Sequence, residues 1–297
     1  MDLTLFLQHL ANGLSLGGLY ALIAIGYTMV YGILRLINFA HGDIVMMAAY
    51  FAFYGIALFL LPWPVAFLLA IIGTVFLGMG IERVAYRPLR DAPRISVLIS
   101  AIGVSLLLEN VAIVAFGGRP KAFPRPPVFA EQWEVEGVRF NSLTLFIIAT
   151  CLVLLVAMFI LVYRTKTGRA MRAVSRDLEA ARLMGINANW VISFTFGLGS
   201  GLAAIGALMW AMKFPQILPL MGVFLGLKCF IAAVVGGIGS VPGAMLGGLI
   251  LGVGEILIVA FFPELASWKY LFAYSLLIVI LFIRPTGIMG REIQEKA

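Results

Sequence analysis

Residues 12–43 read NGLSLGGLYALIAIGYTMVYGILRLINFAHGD. No Lys, Arg, Asp or Glu occurs in this stretch before Arg35. A membrane helix needs about 20 apolar residues to cross the hydrocarbon core, and the run supplies them. It is then interrupted at LINFAHGDIVMMAAY (36–50), where polar residues and a glycine precede renewed apolar sequence. Irregular backbone inside a bilayer is tolerated only where it is buried in protein or lines a cavity. His41 and Asp43 are two positions apart and do not share a helical face, which argues against a metal or catalytic pair. Asp43 is placed to cap the start of a second span. Asn38, His41 and Asp43 are therefore candidates either for structural support or for lining and gating a pathway.

The rest of the chain repeats this pattern. Hydrophobic residues make up 62% of the sequence and charged ones 12%, and the mean hydropathy is +1.06. Nine hydrophobic segments stand out, at 10–33, 42–61, 64–81, 95–117, 142–163, 190–212, 224–240, 244–262 and 270–283. They predict an all-α, polytopic membrane protein of about nine helices, forming a single integral domain over 1–297. Segments seven and nine are short, and a re-entrant segment seven would leave eight spans. The start, MDLTLFLQHL, has no basic region, so a cleaved signal peptide is not expected.

With nine spans and the N-terminus outside, the inner loops carry about two Lys or Arg for each one outside, as the positive-inside rule asks. The net charge of +7 is spread over these short loops, which excludes a nucleic-acid-binding face. Two polar segments remain. The outer one (117–141) has four prolines, which forbid a long helix, and an alternating WEVEGVRF that predicts a short hairpin turning at Gly137. The inner one runs over 164–190.

Glycine is abundant, 32 of 297 residues. Pairs four apart (Gly13 and Gly17, Gly197 and Gly201, Gly222 and Gly226, Gly243 and Gly247, Gly248 and Gly252) suit close helix packing within the chain. GLSLGGL (13–19) and GAMLGGL (243–249) agree at five of seven positions, the pattern an inverted repeat would leave. The glycine-rich AAVVGGIGSVPGAMLGG (232–248) offers Gly236, Gly237 and Gly239 as hinge candidates. Cys151 and Cys229 lie in apolar runs and read as buried thiols, with neither disulfide nor metal implied. Glu109, Lys228 and Glu255 are ionisable residues inside spans, where charge is retained for pairing or for meeting a solute.

Bond-making apparatus is missing. There is no Gly-Lys dipeptide and hence no Walker A sequence, no nucleophile elbow and no metal-ligand cluster. In the inner segment, SRDLEAARLMGIN (175–187) predicts a helix of about two turns between an Asp177 N-cap and a Gly185 C-cap. A helix that short is not stable alone in water, so it must dock on something. Ala180, Leu183 and Met184 form a small apolar face; Glu179 and Arg182 form a polar one. The partner is either the chain's own spans or another protein.

EAARLMG (179–185) resembles the Glu-Ala-Ala-x-x-x-Gly motif of ABC-importer permeases. The residues after it, INANWVISFTFGLG, lack the Ile-x-Leu-Pro element of the longer motif. Together with 12–43, 172–187, 232–248 and the closing RPTGIMG (284–290), the chain is similar to permeases of high-affinity branched-chain amino-acid importers. That resemblance implies a coupling helix contacting an ATPase through Glu179, Ala180, Ala181 and Gly185. It implies a second related permease, two ATPase subunits holding the ATP, and a periplasmic or lipid-anchored binding protein delivering leucine, isoleucine or valine. It implies no cofactor on this chain itself, a bacterial inner-membrane location and transport by alternating access. A urea or short-chain amide importer is the nearest alternative, and an ion-coupled secondary carrier a more distant one.

Overall fold

The computed structural model describes residues 3–90, 92–135 and 138–290. In chain order the helices are α1 (Leu3–Leu34), α2 (His41–Ala57), α3 (Trp63–Ile81), α4 (Arg94–Phe116), α5 (Ser142–Arg164), α6 (Lys166–Arg176) and α7 (Leu178–Leu183). They continue with α8 (Ala188–Lys213), α9 (Met221–Gly236), α10 (Val241–Phe261) and α11 (Lys269–Ile283). A π-helical turn, Glu82–Tyr86, extends α3, and a 3-10 turn, Pro263–Trp268, leads into α11. The strands are short: β1 (Lys121–Ala122) pairs antiparallel with β4 (Gln216–Ile217), and β2 (Gln132–Val135) with β3 (Val138–Asn141). The hairpin read from WEVEGVRF is therefore present; its turn residue, Gly137, lies outside the described residues.

Each of the nine hydrophobic segments holds a helix, but nine full-length spans are not what the lengths give. Seven helical stretches among the described residues are long and apolar enough to cross a membrane. The exceptions are α2, with 17 residues, and α9, with 16. At 1.5 Å per residue each reaches only about 25 Å, less than the ~30 Å of a bilayer core. The ninth segment reaches full length because the 3-10 turn extends it to Pro263–Ile283. Helix α9 leads from β4, which pairs with β1, to the turn at Gly239, which lines a small cavity with Met171 and Ser175 of α6.

The break after α1 explains the short α2. Arg35 holds a positive φ of 53°, which ends the helix, and α2 resumes at His41. His41 lies under Gly26, where an added Cβ would come within 2.5 Å of its Nε2. Gly26 is eight residues before the end of α1, so α2 starts about 12 Å inside the protein from that end. The first turn of α9 meets it there: a Cβ on Gly42 would lie 2.3 Å from the Gly222 carbonyl oxygen. Two helix N-termini thus converge within the membrane-spanning body.

Helix α1 is the buried centre of the fold; Leu19 to Ile25 are wholly inaccessible. The spaced glycines are what allow this. Gly17 and Gly252 place α1 and α10 backbone to backbone, with a Gly252 Cβ falling 2.2 Å from the Gly17 nitrogen. The two similar heptapeptides therefore lie on helices that pack against each other. Gly197 and Gly201 meet Met79 and Val75 of α3, Gly222 and Gly226 meet α2, and Gly243 and Gly247 meet α9. Every one of the five sequence pairs packs within the chain. Gly252→Val is expected to force α1 and α10 apart, at a cost of about 1–3 kcal/mol or more. The check is a lower melting temperature in detergent or loss of the monodisperse protein.

Candidate coupling face and membrane-embedded polar groups

The inner polar segment is built by caps. Thr165 accepts a hydrogen bond from Gly168 N at 3.0 Å and starts α6 straight after α5. Gly168 permits the tight corner, because a Cβ there would fall 2.2 Å from the Leu161 carbonyl oxygen. Met171 and Val174 of α6 are buried against the spans. Asp177 ends α6 and starts α7, accepting from Glu179 N at 3.0 Å and Ala180 N at 2.9 Å. At the other end Gly185 holds φ 81°, and Ile186 N donates to the Ala181 carbonyl at 3.0 Å. A left-handed C-cap of this kind satisfies carbonyls that the helix end would otherwise leave free.

α7 is six residues long and is fixed by one buried side chain, Ala181. Glu179, Ala180 and Arg182 are exposed. Leu183 and Met184 are 89% and 83% exposed. The apolar face predicted from Ala180, Leu183 and Met184 therefore points away from the chain's own spans. Trp190, in the first turn of α8, is half exposed beside it. Adjacent exposed apolar groups rimmed by charge are the signature of an interaction surface.

One important group in this region was missed by sequence reasoning. Glu82, in the π-helical turn, is fully buried. It pairs with Arg87 at 3.1 Å and with Arg90, and it accepts from the Ser193 hydroxyl of α8. Arg90 also donates to Asn189 Oδ1 at 2.6 Å. The available signal was a single acidic residue closing the third apolar segment, with arginines five and eight positions later.

The residues of the 36–50 break turn to different neighbours. Asn38 Oδ1 accepts from the Tyr86 hydroxyl at 2.7 Å, while Asn38 Nδ2 has no partner among the described residues. His41 Nε2 is 3.3 Å from the Ile23 carbonyl oxygen, and its ring meets Tyr27 edge-on at 4.5 Å. Asp43 is not the cap of α2. The N-cap position is Ala40, which has no capping side chain, and Asp43 sits inside the first turn. Its Oδ2 accepts from Ser105 of α4, and its Oδ1 is buried without a partner among the described residues.

Two of the three intramembrane charges come together. Lys228 Nζ donates to Glu255 Oε1 at 2.7 Å, and the Tyr20 hydroxyl donates to Glu255 Oε2 at 2.9 Å. Tyr270 covers the ammonium, with its ring centroid 4.4 Å from Nζ. Glu109 is not part of this group; it lies one helical turn beyond Ser105 on α4, on the Asp43 side.

Gly236, Gly237 and Gly239 sit at the α9–α10 turn. Gly237 and Gly239 have φ of 108° and 95°, conformations other residues rarely adopt. The closing 284–290 segment runs against this turn: Ile288 N donates to the Val235 carbonyl at 3.0 Å and Met289 N to that of Gly236 at 2.9 Å. Cys151 and Cys229 are buried and free. No cluster of three metal-ligating side chains occurs among the described residues.

Residues 9–281 match the family described as "Branched-chain amino acid transport system / permease component". The chain is 44% identical to the high-affinity branched-chain amino acid transport system permease protein BraD of Pseudomonas aeruginosa, covering 98% of both chains. It is 41% identical to the corresponding protein LivH of Escherichia coli K12, over 98% of this chain and 97% of that one. A probable LivH of Methanocaldococcus jannaschii is 29% identical over 92% of this chain and 89% of its own length. Among solved structures, PsaBC from Streptococcus pneumoniae in complex with Fab gives a TM-score of 0.49 at 15% identity, covering 93% of this chain and 91% of that chain. With the profile match and near-full-length identity above 40% on a multi-pass helical fold, the chain belongs to the branched-chain amino acid transport permease family.

Proposed function

We propose that this chain is the permease subunit of an ATP-driven importer that passes leucine, isoleucine and valine to the cytoplasm by alternating access. The observation that carries the coupling part is α7: a capped helix whose Leu183 and Met184 project from the protein beside exposed Glu179 and Arg182. Its occupant is an ATPase subunit, one of two, which holds the ATP. A second related permease and a soluble or lipid-anchored binding protein complete the assembly. The substrate follows from the relatives, whose names specify branched-chain amino acids; this favours leucine over urea or a short-chain amide.

In this reading Asp177 and Gly185 hold the docking helix in shape, while Glu179, Ala180 and Ala181 form or support its contact. Asn38, His41 and Asp43 act at the break where α2 and α9 converge, and Gly236, Gly237 and Gly239 absorb the backbone change at the α9–α10 turn. Co-expression with the partner subunits, reconstitution into vesicles and uptake of labelled solutes tests this. Leucine uptake is expected to need both ATP and the binding protein. Uptake of urea instead, or leucine uptake driven by an ion gradient without ATP, sinks the proposal.

A further inference from the structure

The base of α3 touches two regions that are far apart in the sequence. Its π-helical turn, Glu82–Tyr86, has a functional contact at each end. At the first, buried Glu82 holds Arg87, Arg90 and the Ser193 hydroxyl, and Arg90 reaches Asn189 at 2.6 Å, four residues beyond Gly185. At the second, the Tyr86 hydroxyl donates to Asn38 Oδ1 at 2.7 Å, and its ring lies 5.2 Å from that of Phe196. Asn38 belongs to the break between α1 and α2. The two ends are thus joined through one short helical turn.

Three features distinguish this arrangement from a simple structural staple. The turn is π-helical, a rare form that is frequent at functional sites. A carboxylate that is 0% exposed is an expensive group to bury for stability alone, since well-packed apolar residues in place of a buried ion pair are often neutral or stabilising. Asn38 is only 2% exposed, yet its Nδ2 has no partner among the described residues, so the present contact leaves a donor for a second arrangement.

We infer that Asn189, Arg90, Glu82, Tyr86 and Asn38 form a relay that couples the position of the α7–α8 corner to the membrane break ahead of α2, with Glu82 and Tyr86 as positioning residues. The inference rests on the docking role proposed for α7. Movement of α7 shifts Asn189 and Ser193 at the start of α8; Arg90 and Glu82 carry that shift into the π turn; Tyr86 then moves Asn38 and the entry to α2.

The test is a double-mutant cycle on the reconstituted importer, with leucine as the transported probe. Asn189→Ala removes the Arg90 contact at one end, and Tyr86→Phe removes the Asn38 contact at the other while keeping the ring. The readout is leucine moved per ATP hydrolysed, with the amount of assembled complex measured in parallel. Each single change is expected to lower that ratio, within the range of about twofold to 30-fold that substitutions along coupling networks produce. The double variant is expected to be no worse than the more severe single one, because both interrupt the same relay. Multiplying effects, which independent sites give, or a loss that follows only the amount of assembled complex, overturns the relay. Charge reversal at Glu179 tests the docking reading alone. A severe loss there with a multiplicative cycle removes the relay and keeps the docking, whereas an unaltered ratio there removes both.

Discussion

Lys228→Met is expected to destabilise the protein by about 3–5 kcal/mol, the usual result of stranding one member of a buried ion pair. Glu255 would keep a single neutral donor, the Tyr20 hydroxyl at 2.9 Å, in place of an ammonium at 2.7 Å. Both side chains are 7% exposed, so water cannot substitute for the missing charge. The pair joins α9 to α10, and Tyr20 ties both to α1, so the damage falls on the centre of the fold. Thermal melting in detergent and recovery of monodisperse protein measure it. Adding Glu255→Met is expected to restore most of the loss, because an apolar pair of similar volume replaces the ionic one. A Lys228→Met protein that melts like the parent rules out a stabilising pair. Restored folding without restored leucine uptake would assign the charges to transport, the other role open to an intramembrane ion.

Much of this architecture was legible in the sequence, and the reasons are specific. Long apolar runs admit one solution in a bilayer, so the nine helical segments could be placed. The glycine pairs could be read as packing sites because small residues four apart let backbones touch, as at Gly17 and Gly252. The caps of α7 were visible because Asp177 and Gly185 act through their own backbone geometry. What failed were the features that depend on tertiary position. The count of nine is not confirmed at α2 and α9, whose starts meet a neighbour: His41 meets Gly26, and Gly222 meets Gly42. Asp43 satisfies every local rule for an N-cap, but the helix starts three positions earlier, from Ala40, and the carboxylate goes to Ser105 instead. Glu82 was passed over because its partners come from the following loop and from α8, more than a hundred residues away. Lys228 and Glu255 pair across α9 and α10, a contact that sequence separation hides, and placing Glu109 elsewhere depends on the packing of α4 against α2.

Gly185→Trp is expected to reduce ATP-driven leucine uptake by more than about tenfold, the scale of disrupting an interface anchor worth about 2 kcal/mol or more. The argument turns on where the new side chain would go. Gly185 holds φ 81°, so any L residue with a Cβ is strained there, by roughly 1–2 kcal/mol. A Cβ at this position meets nothing within 4 Å. The indole would therefore project outward, beside Leu183 and Met184, without striking the protein's own helices. The backbone strain is shared with Gly185→Ala; the bulk is not. If the face is free, the two substitutions should lower uptake alike. If an ATPase subunit covers it, Trp should abolish co-purification of that subunit while Ala largely retains it. Glu179→Arg provides an orthogonal reading, since its side chain is exposed. Reversing it is expected to weaken the complex by an amount that shrinks as salt is raised, because exposed charges more than about 10 Å apart are screened at 0.1 M ionic strength. Equal uptake by the Trp and Ala variants, with Glu179→Arg unaltered at low salt, would show that α7 is not the surface that meets the ATPase.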